Sequence, residues 1–176
     1  MICNQCPRKC NTDREITLGF CKSPQHFRVS RAALHFWEEP CISGENGSGT
    51  VFFSGCNLRC VFCQNYEISR ENKGVEISDE KLVSIFEKLI SQGAHNINLV
   101  NPSHYACRLA SVLSKWKSPV PIVYNTSGYD SVETLKMLDG LVDIYLPDFK
   151  YTRSDKALRY SKVADYPETA KAALAE

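Results

Sequence analysis

The sequence predicts an α/β fold, a partial barrel of about four βα units that follows a small cysteine-rich module. Strand-like and helix-like segments alternate from residue 50 onward, which is the order of parallel βαβ units. The second observation is that the chain has nine cysteines, most of them in two clusters. The third is that polar residues directly follow each predicted strand, where parallel sheets gather their chemistry.

Short runs rich in β-branched and aromatic residues predict the strands. Because eight strands close a common α/β barrel, four strands imply either an open sheet or a fragment of a larger barrel. The four predicted strands are 50–55 (TVFFSG), 96–101 (NINLVN), 121–128 (PIVYNTSG) and 142–149 (VDIYLPDF).

The spacing of apolar residues predicts a helix after each of these strands. Segment 77–93 repeats its apolar residues at i, i+3, i+4, i+7 and i+8, the pattern of an amphipathic helix. Ser78 is a suitable N-cap, and Gly93 stands where a C-terminal glycine belongs. Further helices are predicted at 106–116, at 131–139 and from Pro167 onward.

A glycine-rich loop at residues 43–49 marks the predicted domain division. It places the cysteine-rich module at 1–45 and the partial barrel at 46–176, and we expect the C-terminal part of the barrel to be missing. The segment from about 22 to 42 is only moderately patterned, so it receives no assignment.

Composition excludes several classes of partner. A formal net charge of +1, from 21 basic and 20 acidic residues, gives no field for nucleic acid or an anionic membrane. No segment approaches the roughly 18 apolar residues of a membrane span, and no signal peptide is recognisable. We therefore expect a cytoplasmic protein, in which cysteines bind metal or stay reduced more often than they form disulfides.

The loop GCNLRCVFCQN, residues 55–65, carries three cysteines in a C-x3-C-x2-C pattern: Cys56, Cys60 and Cys63. A closed zinc site and an ordinary [4Fe–4S] site each take four protein ligands. Three cysteines therefore leave one coordination position open. Because substrates bind at open positions, the pattern favours an enzyme.

This loop resembles the C-x3-C-x-Φ-C signature of radical S-adenosylmethionine enzymes, with Phe62 as the aromatic residue. Together with CNQCPRKC, SGENGSGTVFFSGC and YLPDFKY, it makes the chain similar to uncharacterised iron–sulfur proteins related to pyruvate formate-lyase activating enzyme. The resemblance implies a partial barrel of the radical SAM type. It implies that the three cysteines hold a [4Fe–4S] cluster while S-adenosylmethionine chelates the fourth iron. Reductive cleavage then gives a 5′-deoxyadenosyl radical that abstracts hydrogen.

The resemblance also implies partners: an electron donor such as flavodoxin or ferredoxin, and a protein substrate that receives a glycyl radical. A small-molecule substrate is the alternative. Two other classes of function stay open, a non-catalytic zinc or iron–sulfur module and a simple electron carrier.

Residues that follow the other three strands are candidates for cofactor binding. Activating enzymes carry a Gly-Gly-Glu-like motif after the second strand, whereas this chain has VNPSHY, so the resemblance leaves the polar contact to Asn101 or Ser103. Ordinary helix caps and turns are the alternative for these positions. His104 is predicted to be a packing residue. By the same resemblance, the third and fourth strands contribute Asn125 and Thr126, with Ser127 beside them, and Asp148 and Lys150.

The second cysteine cluster consists of Cys3, Cys6, Cys10 and Cys21, spaced C-x2-C-x3-C-x10-C. Four thiols make a complete tetrahedral set, so structural zinc, an auxiliary iron–sulfur cluster, and reduced thiols or disulfides are all open. The remaining cysteines, Cys41 and Cys107, are predicted to be small buried hydrophobes.

Overall fold

A computed structural model describes residues 2–176, and its strands form two sheets. The first sheet is an antiparallel pair, β1 (Ile2–Cys3) and β2 (Thr12–Asp13). The main sheet contains β3 (Phe27–His35), β4 (Ser48–Phe53), β5 (Val75–Ile77), β6 (Ile97–Val100), β7 (Ile122–Thr126) and β8 (Ile144–Pro147).

Helices follow the strands in the alternation that the sequence predicts. A 3₁₀ turn, Ser103–Tyr105, leads into the helix after β6. The helices are α1 (Pro40–Ser43), α2 (Tyr66–Ser69), α3 (Asp79–Ser91), α4 (Ala106–Lys115), α5 (Val132–Leu138), α6 (Ser154–Ser161) and α7 (Tyr166–Ala175).

The main sheet runs in the order β5-β3-β4-β6-β7-β8. Strands β4, β6, β7 and β8 are parallel, which confirms the predicted α/β class and its four strands. The sheet has six strands because β3 and β5 add antiparallel pairs at one edge. Both were missed, since β5 is only three residues long and the second half of β3 is not buried.

The main hydrophobic core lies between the parallel strands and helices α3, α4 and α5. In α3 the Ser78 side chain accepts from the Lys81 backbone N–H, as a cap should, and Gly93 has the positive φ of +96° expected at a helix end. Fully buried members of this core include Phe27, Val51, Phe53, Leu82, Phe86, Ile97, Leu99, Leu109 and Tyr124.

A second hydrophobic cluster joins the three-cysteine loop to the C-terminal helices. Leu58 of the loop is fully buried, and Tyr166 at the start of α7 is buried with it. The helix predicted from Pro167 therefore begins one residue earlier. The other members of the cluster are Cys56, Cys60, Tyr129, Tyr151, Ala157, Val163 and Ala170.

The N-terminal residues pack against the main sheet rather than apart from it. Strand β3, which lies inside the predicted 1–45 module, pairs with β4 along most of its length. The domain division at residue 45 stays a prediction. The small separate sheet, β1 with β2, lies entirely before β3 in the chain. None of the helices in residues 2–176 combines the length and apolar character that crossing a bilayer would take.

Candidate functional site

A cavity of about 680 Å³ opens at the carboxyl end of the parallel strands. Cys56, Cys60 and Cys63 all line it, as the position of their loop after β4 predicts. Six of the seven other predicted site residues line the same cavity: Phe62, Asn101, Asn125, Thr126, Asp148 and Lys150.

Glycine and asparagine residues shape the cysteine loop as it leaves β4. Gly55 has a φ of +84°, and a Cβ there would meet the Cys21 carbonyl oxygen at 2.6 Å, so this turn requires glycine. The Asn57 side chain, fully buried, donates to the Tyr129 carbonyl oxygen at 2.7 Å. Asn101 has a φ of +57° and donates to the Gly55 carbonyl oxygen at 2.6 Å.

Hydrogen-bond donors reach the thiols of this loop. The Leu58 backbone N–H donates to Cys56 Sγ at 3.3 Å, and the Ser161 hydroxyl donates to Cys60 Sγ at 2.9 Å. Burial raises the pKa of the Cys56 thiol to about 11, and the Arg59 and Leu58 backbone N–H groups oppose that rise. Such donors also stabilise metal-bound thiolates, so they fit a ligating role.

The three thiols of this loop suit a [4Fe–4S] cluster that takes three cysteine ligands. Within residues 2–176, no three His, Cys, Asp or Glu side chains are arranged to hold one metal ion. In a cluster each cysteine binds a different iron, so its sulfurs stand farther apart than around one ion. Three buried or half-buried thiols on one open cavity therefore fit a [4Fe–4S] cluster.

Phe62 lies at the cavity with 57% of its surface exposed. Its ring makes edge contacts with Tyr151 and Tyr160, each at 6.1 Å between centroids. These two tyrosines belong to the C-terminal segment, so the aromatic residue of the motif helps to dock the cysteine loop on that segment.

The residues after β6 and β7 have different positions. Ser103 is buried and, unlike Asn101, does not line the cavity; its hydroxyl is 3.1 Å from Thr126 Oγ1. The Thr126 hydroxyl donates to the buried carboxyl of Asp130. Burial raises the pKa of Asp130, while hydrogen bonds from Ser103, Thr126 and Tyr124 lower it. Ser103 and Thr126 thus form a buried polar network that supports the end of β7.

Three cavity residues from the unassigned segment were missed by sequence reasoning: Arg31, His35 and Glu38. Asn125 Nδ2 donates to Glu38 Oε2 at 3.3 Å, so a predicted site residue contacts one of them. Burial raises the pKa of the Glu38 carboxyl, and the nearby His35 opposes this rise. Arg31 and His35 are four positions apart in β3, and residues an even number of positions apart in a strand lie on the same face. This spacing is the one sequence signal that could have placed them together.

Asp148 and Lys150 lie beyond β8 and form an ion pair with Nζ and Oδ2 2.5 Å apart. A side-chain hydroxyl fixes the turn that carries them: the hydroxyl of Tyr166 accepts from the Lys150 backbone N–H at 2.8 Å and donates to the Ser127 carbonyl oxygen at 2.7 Å. The turns after β7 and β8 are therefore joined through a residue of α7.

His104 is fully buried, as a packing histidine should be, and its Nε2 contacts the Ser54 carbonyl oxygen at 2.8 Å. Burial lowers its pKa to about 3, so the ring is neutral at physiological pH. The prediction for Cys41 is wrong because this cysteine is exposed, and Cys107 is only partly buried. A single cysteine that does not belong to a repeating apolar pattern gives no sequence signal for whether its side chain is buried.

The four N-terminal cysteines line one small cavity of about 10 Å³. Cys6 and Cys21 are buried, while Cys3 and Cys10 are partly buried. Burial raises the pKa of the Cys6 thiol to about 12, with a further rise from the other three. The structure therefore brings these four residues together.

The structure defines an open α/β sheet with three cysteines on a loop at the carboxyl edge of its parallel strands, an arrangement that suits a metal cofactor. Residues 50–175 match the family model of the Radical SAM superfamily, and the chain belongs to that superfamily. Membership implies, in general, a [4Fe–4S] cluster and S-adenosylmethionine.

An uncharacterised protein of Methanocaldococcus jannaschii is 33% identical to the chain over 173 residues, which cover 93% of this chain and 50% of the relative. The chain thus spans about half the length of this curated relative. The similarity includes the N-terminal region, since it extends well beyond the residues that the family model matches.

Proposed function

We propose that the chain is a radical S-adenosylmethionine enzyme that holds a [4Fe–4S] cluster through Cys56, Cys60 and Cys63 and removes a hydrogen atom from its substrate. The observation that carries this proposal is the convergence of the three thiols on the cavity that the ends of β4, β6, β7 and β8 share. When bound, the cluster and S-adenosylmethionine supply one-electron reductive cleavage and hydrogen abstraction.

The chain's own residues would bind and orient the cofactor. Lys150 offers an ammonium donor and Asp148 a carboxylate acceptor at the cavity, which suit the carboxylate and the amino group of an amino acid. The side-chain amide of Asn125 offers neutral donors and acceptors on the same wall. Phe52 and Leu58 give the cavity an apolar part, which would limit the access of water to the reacting groups.

For the substrate, we propose a glycine residue of a partner protein, with a one-electron donor such as flavodoxin or ferredoxin as the second partner. Exposed aromatic side chains support a protein substrate, because interfaces are rich in them. Phe62 at the cavity is 57% exposed, and Trp37, next to Glu38 in the chain, is 89% exposed. A small-molecule substrate is the alternative, and the cavity of about 680 Å³ could contain one.

The test is anaerobic reconstitution with iron and sulfide, then reduction and electron paramagnetic resonance with and without S-adenosylmethionine. We expect a [4Fe–4S]⁺ signal that changes when the cofactor is added, and formation of 5′-deoxyadenosine. Cys60→Ala should lose both. Cys41→Ala is the matched control, since Cys41 is an exposed cysteine that does not line the cavity.

Two results would overturn the proposal. A reducible cluster that is indifferent to S-adenosylmethionine would indicate an electron carrier. A colourless protein that takes up zinc and no iron would indicate a non-catalytic metal module. Incubation of the reconstituted chain with candidate proteins or small molecules, followed by a search for an organic radical, then separates the two substrate classes.

A further inference from the structure

We propose that Cys3, Cys6, Cys10 and Cys21 bind one divalent, thiophilic ion of the zinc class, that Arg8 and Arg14 balance its negative charge, and that this site braces the three-cysteine loop. This inference goes beyond the proposed function, because it concerns residues outside the cluster cavity. It does not depend on the radical chemistry.

The size of the cavity favours a single ion. The four cysteines line a space of about 10 Å³, whereas the cavity at Cys56, Cys60 and Cys63 measures about 680 Å³. A space of 10–15 Å³ holds roughly one small particle the size of a water molecule, so one ion needs far less rearrangement of this site than a four-iron cube would. Four cysteine thiolates around one ion form the closed tetrahedral set of a structural zinc site.

Hydrogen-bond donors already point at these sulfurs. The Phe20 backbone N–H donates to Cys10 Sγ at 3.5 Å, and Gln5 Nε2 donates to Cys3 Sγ at 3.8 Å. Within residues 2–176 no three of these side chains are placed as the ligands of one ion. Binding must therefore gather them, which is usual because metal binding and local folding are coupled.

Arg14 supplies an independent observation that points to a bound anionic centre. Its side chain is 5% exposed, and its Nη2 donates to Cys21 Sγ at 3.6 Å. Its Nε has no hydrogen-bond partner, and no carboxylate of residues 2–176 lies within 4.0 Å of its guanidinium group. A buried cation without an anion is costly. Neutral thiols would leave that cost in place.

The charges of the proposed centre remove this cost. Four thiolates and one divalent ion have a net charge of minus two, and three cations line the cavity: Arg8, Lys9 and Arg14. Arg8 lies between Cys6 and Cys10 in the sequence and lines the same cavity as Arg14. Its guanidinium carbon stands 3.5 Å from the centre of the Phe20 ring. The two arginines would thus face the negative charge of the tetrathiolate centre, with Lys9 as a third cation of the same cavity.

Arg8 also connects this site to the three-cysteine loop. Its Nε donates to the Asn57 carbonyl oxygen at 2.7 Å, and its Nη2 donates to the Ser161 carbonyl oxygen at 2.6 Å. Asn57 follows Cys56 in the loop, and the Ser161 hydroxyl donates to Cys60 Sγ. An ion that fixes Cys6 and Cys10 therefore holds Arg8 against both flanks of the candidate cluster site.

The first experiment uses the 176-residue chain with Cys56, Cys60 and Cys63 all changed to alanine, so that only the N-terminal set can bind metal. We expect one equivalent of zinc per chain by elemental analysis, and with Co²⁺ the visible absorption of a tetrahedral tetrathiolate. Cys10→Ser should lose the ion, and the exposed control Cys41→Ser should retain it. Failure to bind zinc or Co²⁺, or assembly of an iron–sulfur cluster at these four cysteines, would overturn the proposal. Because this chain lacks the loop cysteines, neither outcome bears on the radical enzyme.

The second experiment tests the charge balance in the same chain. Replacement of groups that surround a metal site typically weakens metal affinity by about 10–100-fold, and we expect a loss in this range for Arg14→Met in competition with a chelator. Arg14→Lys, which keeps the charge, should lose less. Equal zinc affinity in Arg14→Met and the parent would refute the proposed charge balance.

The proposed brace of the three-cysteine loop has its own measurement. Removal of zinc should accelerate amide hydrogen exchange at residues 56–60, and unchanged exchange would refute the brace.

Discussion

The hydroxyl of Tyr166 offers a sharp test of how the candidate site is held in place. It accepts from the Lys150 backbone N–H at 2.8 Å and donates to the Ser127 carbonyl oxygen at 2.7 Å, and it lies within a fully buried side chain. Burial raises its pKa to about 12, so the phenol stays a donor at neutral pH. The same hydroxyl oxygen also lies 3.1 Å from the Asp148 carbonyl oxygen, so the donated bond is shared. Tyr166→Phe removes the accepted and the donated bond and leaves the ring in place.

The expected cost follows from these two bonds. A typical intramolecular hydrogen bond contributes about 0.5–1.5 kcal/mol net, so Tyr166→Phe should lower the free energy of unfolding by about 1–3 kcal/mol. Urea denaturation of the two proteins measures this as a lower midpoint with an unchanged slope. The reconstituted variant should also bind S-adenosylmethionine more weakly, because the turn that carries Lys150 is no longer fixed.

Tyr160→Phe is the matched control. Tyr160 belongs to the same C-terminal segment, but its hydroxyl makes no hydrogen bond within residues 2–176, so its loss should change the free energy of unfolding by less than about 0.5 kcal/mol. Equal midpoints for Tyr166→Phe and the parent would refute the reasoning, since the hydroxyl would then contribute nothing to the position of the two turns.

Three further predictions concern burial, backbone geometry and the thiols. The pKa of His104 is about 3 in the folded chain and about 6.5 in the unfolded chain. The unfolded state therefore binds one more proton as the pH drops below 6.5, and the free energy of unfolding falls. Between pH 7 and pH 5 the parent should lose about 2 kcal/mol more of this free energy than His104→Gln does, as measured by urea denaturation. Gly128→Ala should lower the free energy of unfolding by at least about 2 kcal/mol, because φ is +74° and the new Cβ would strike the Asp148 carbonyl oxygen. Gly93→Ala, whose new Cβ has nothing within 4 Å, should lower it by only about 1 kcal/mol. Equal losses for the two variants would contradict this prediction. Ser161→Ala removes the donor to Cys60 Sγ, so the reduction potential of a reconstituted cluster should become more negative in a redox titration, and an unchanged potential would show that the bond is not retained.

The sequence was most informative where a short local pattern determines structure. The parallel strands were predicted from short runs of β-branched and aromatic residues, and α3 from the period of its apolar residues. The loop with Cys56, Cys60 and Cys63 was predicted because ligand spacing is local. The position of polar residues after each strand correctly placed most of the candidates at one cavity. Whether they bind a cofactor stays a prediction.

The features that were missed depend on contacts between distant residues. Strand β3 is held by backbone hydrogen bonds to β4 and β5, and its second half is not buried, so its side chains carry little periodic signal. Glu38 reaches the cavity only because β3 joins the sheet beside β4. Likewise, the Asn101 amide donates to the Gly55 carbonyl oxygen, a pairing that no spacing along the chain reveals.

The contacts of Arg8 have a consequence for synthesis on the ribosome. Its carbonyl partners are 49 residues away at Asn57 and 153 residues away at Ser161. At a translation rate of about 5–20 residues per second, roughly 8–30 s pass between the addition of Arg8 and that of Ser161. During this interval the first four cysteines have emerged while the helix that completes their surroundings does not yet exist. Those cysteines therefore depend, during this interval, on protection from oxidants or on an early supply of metal.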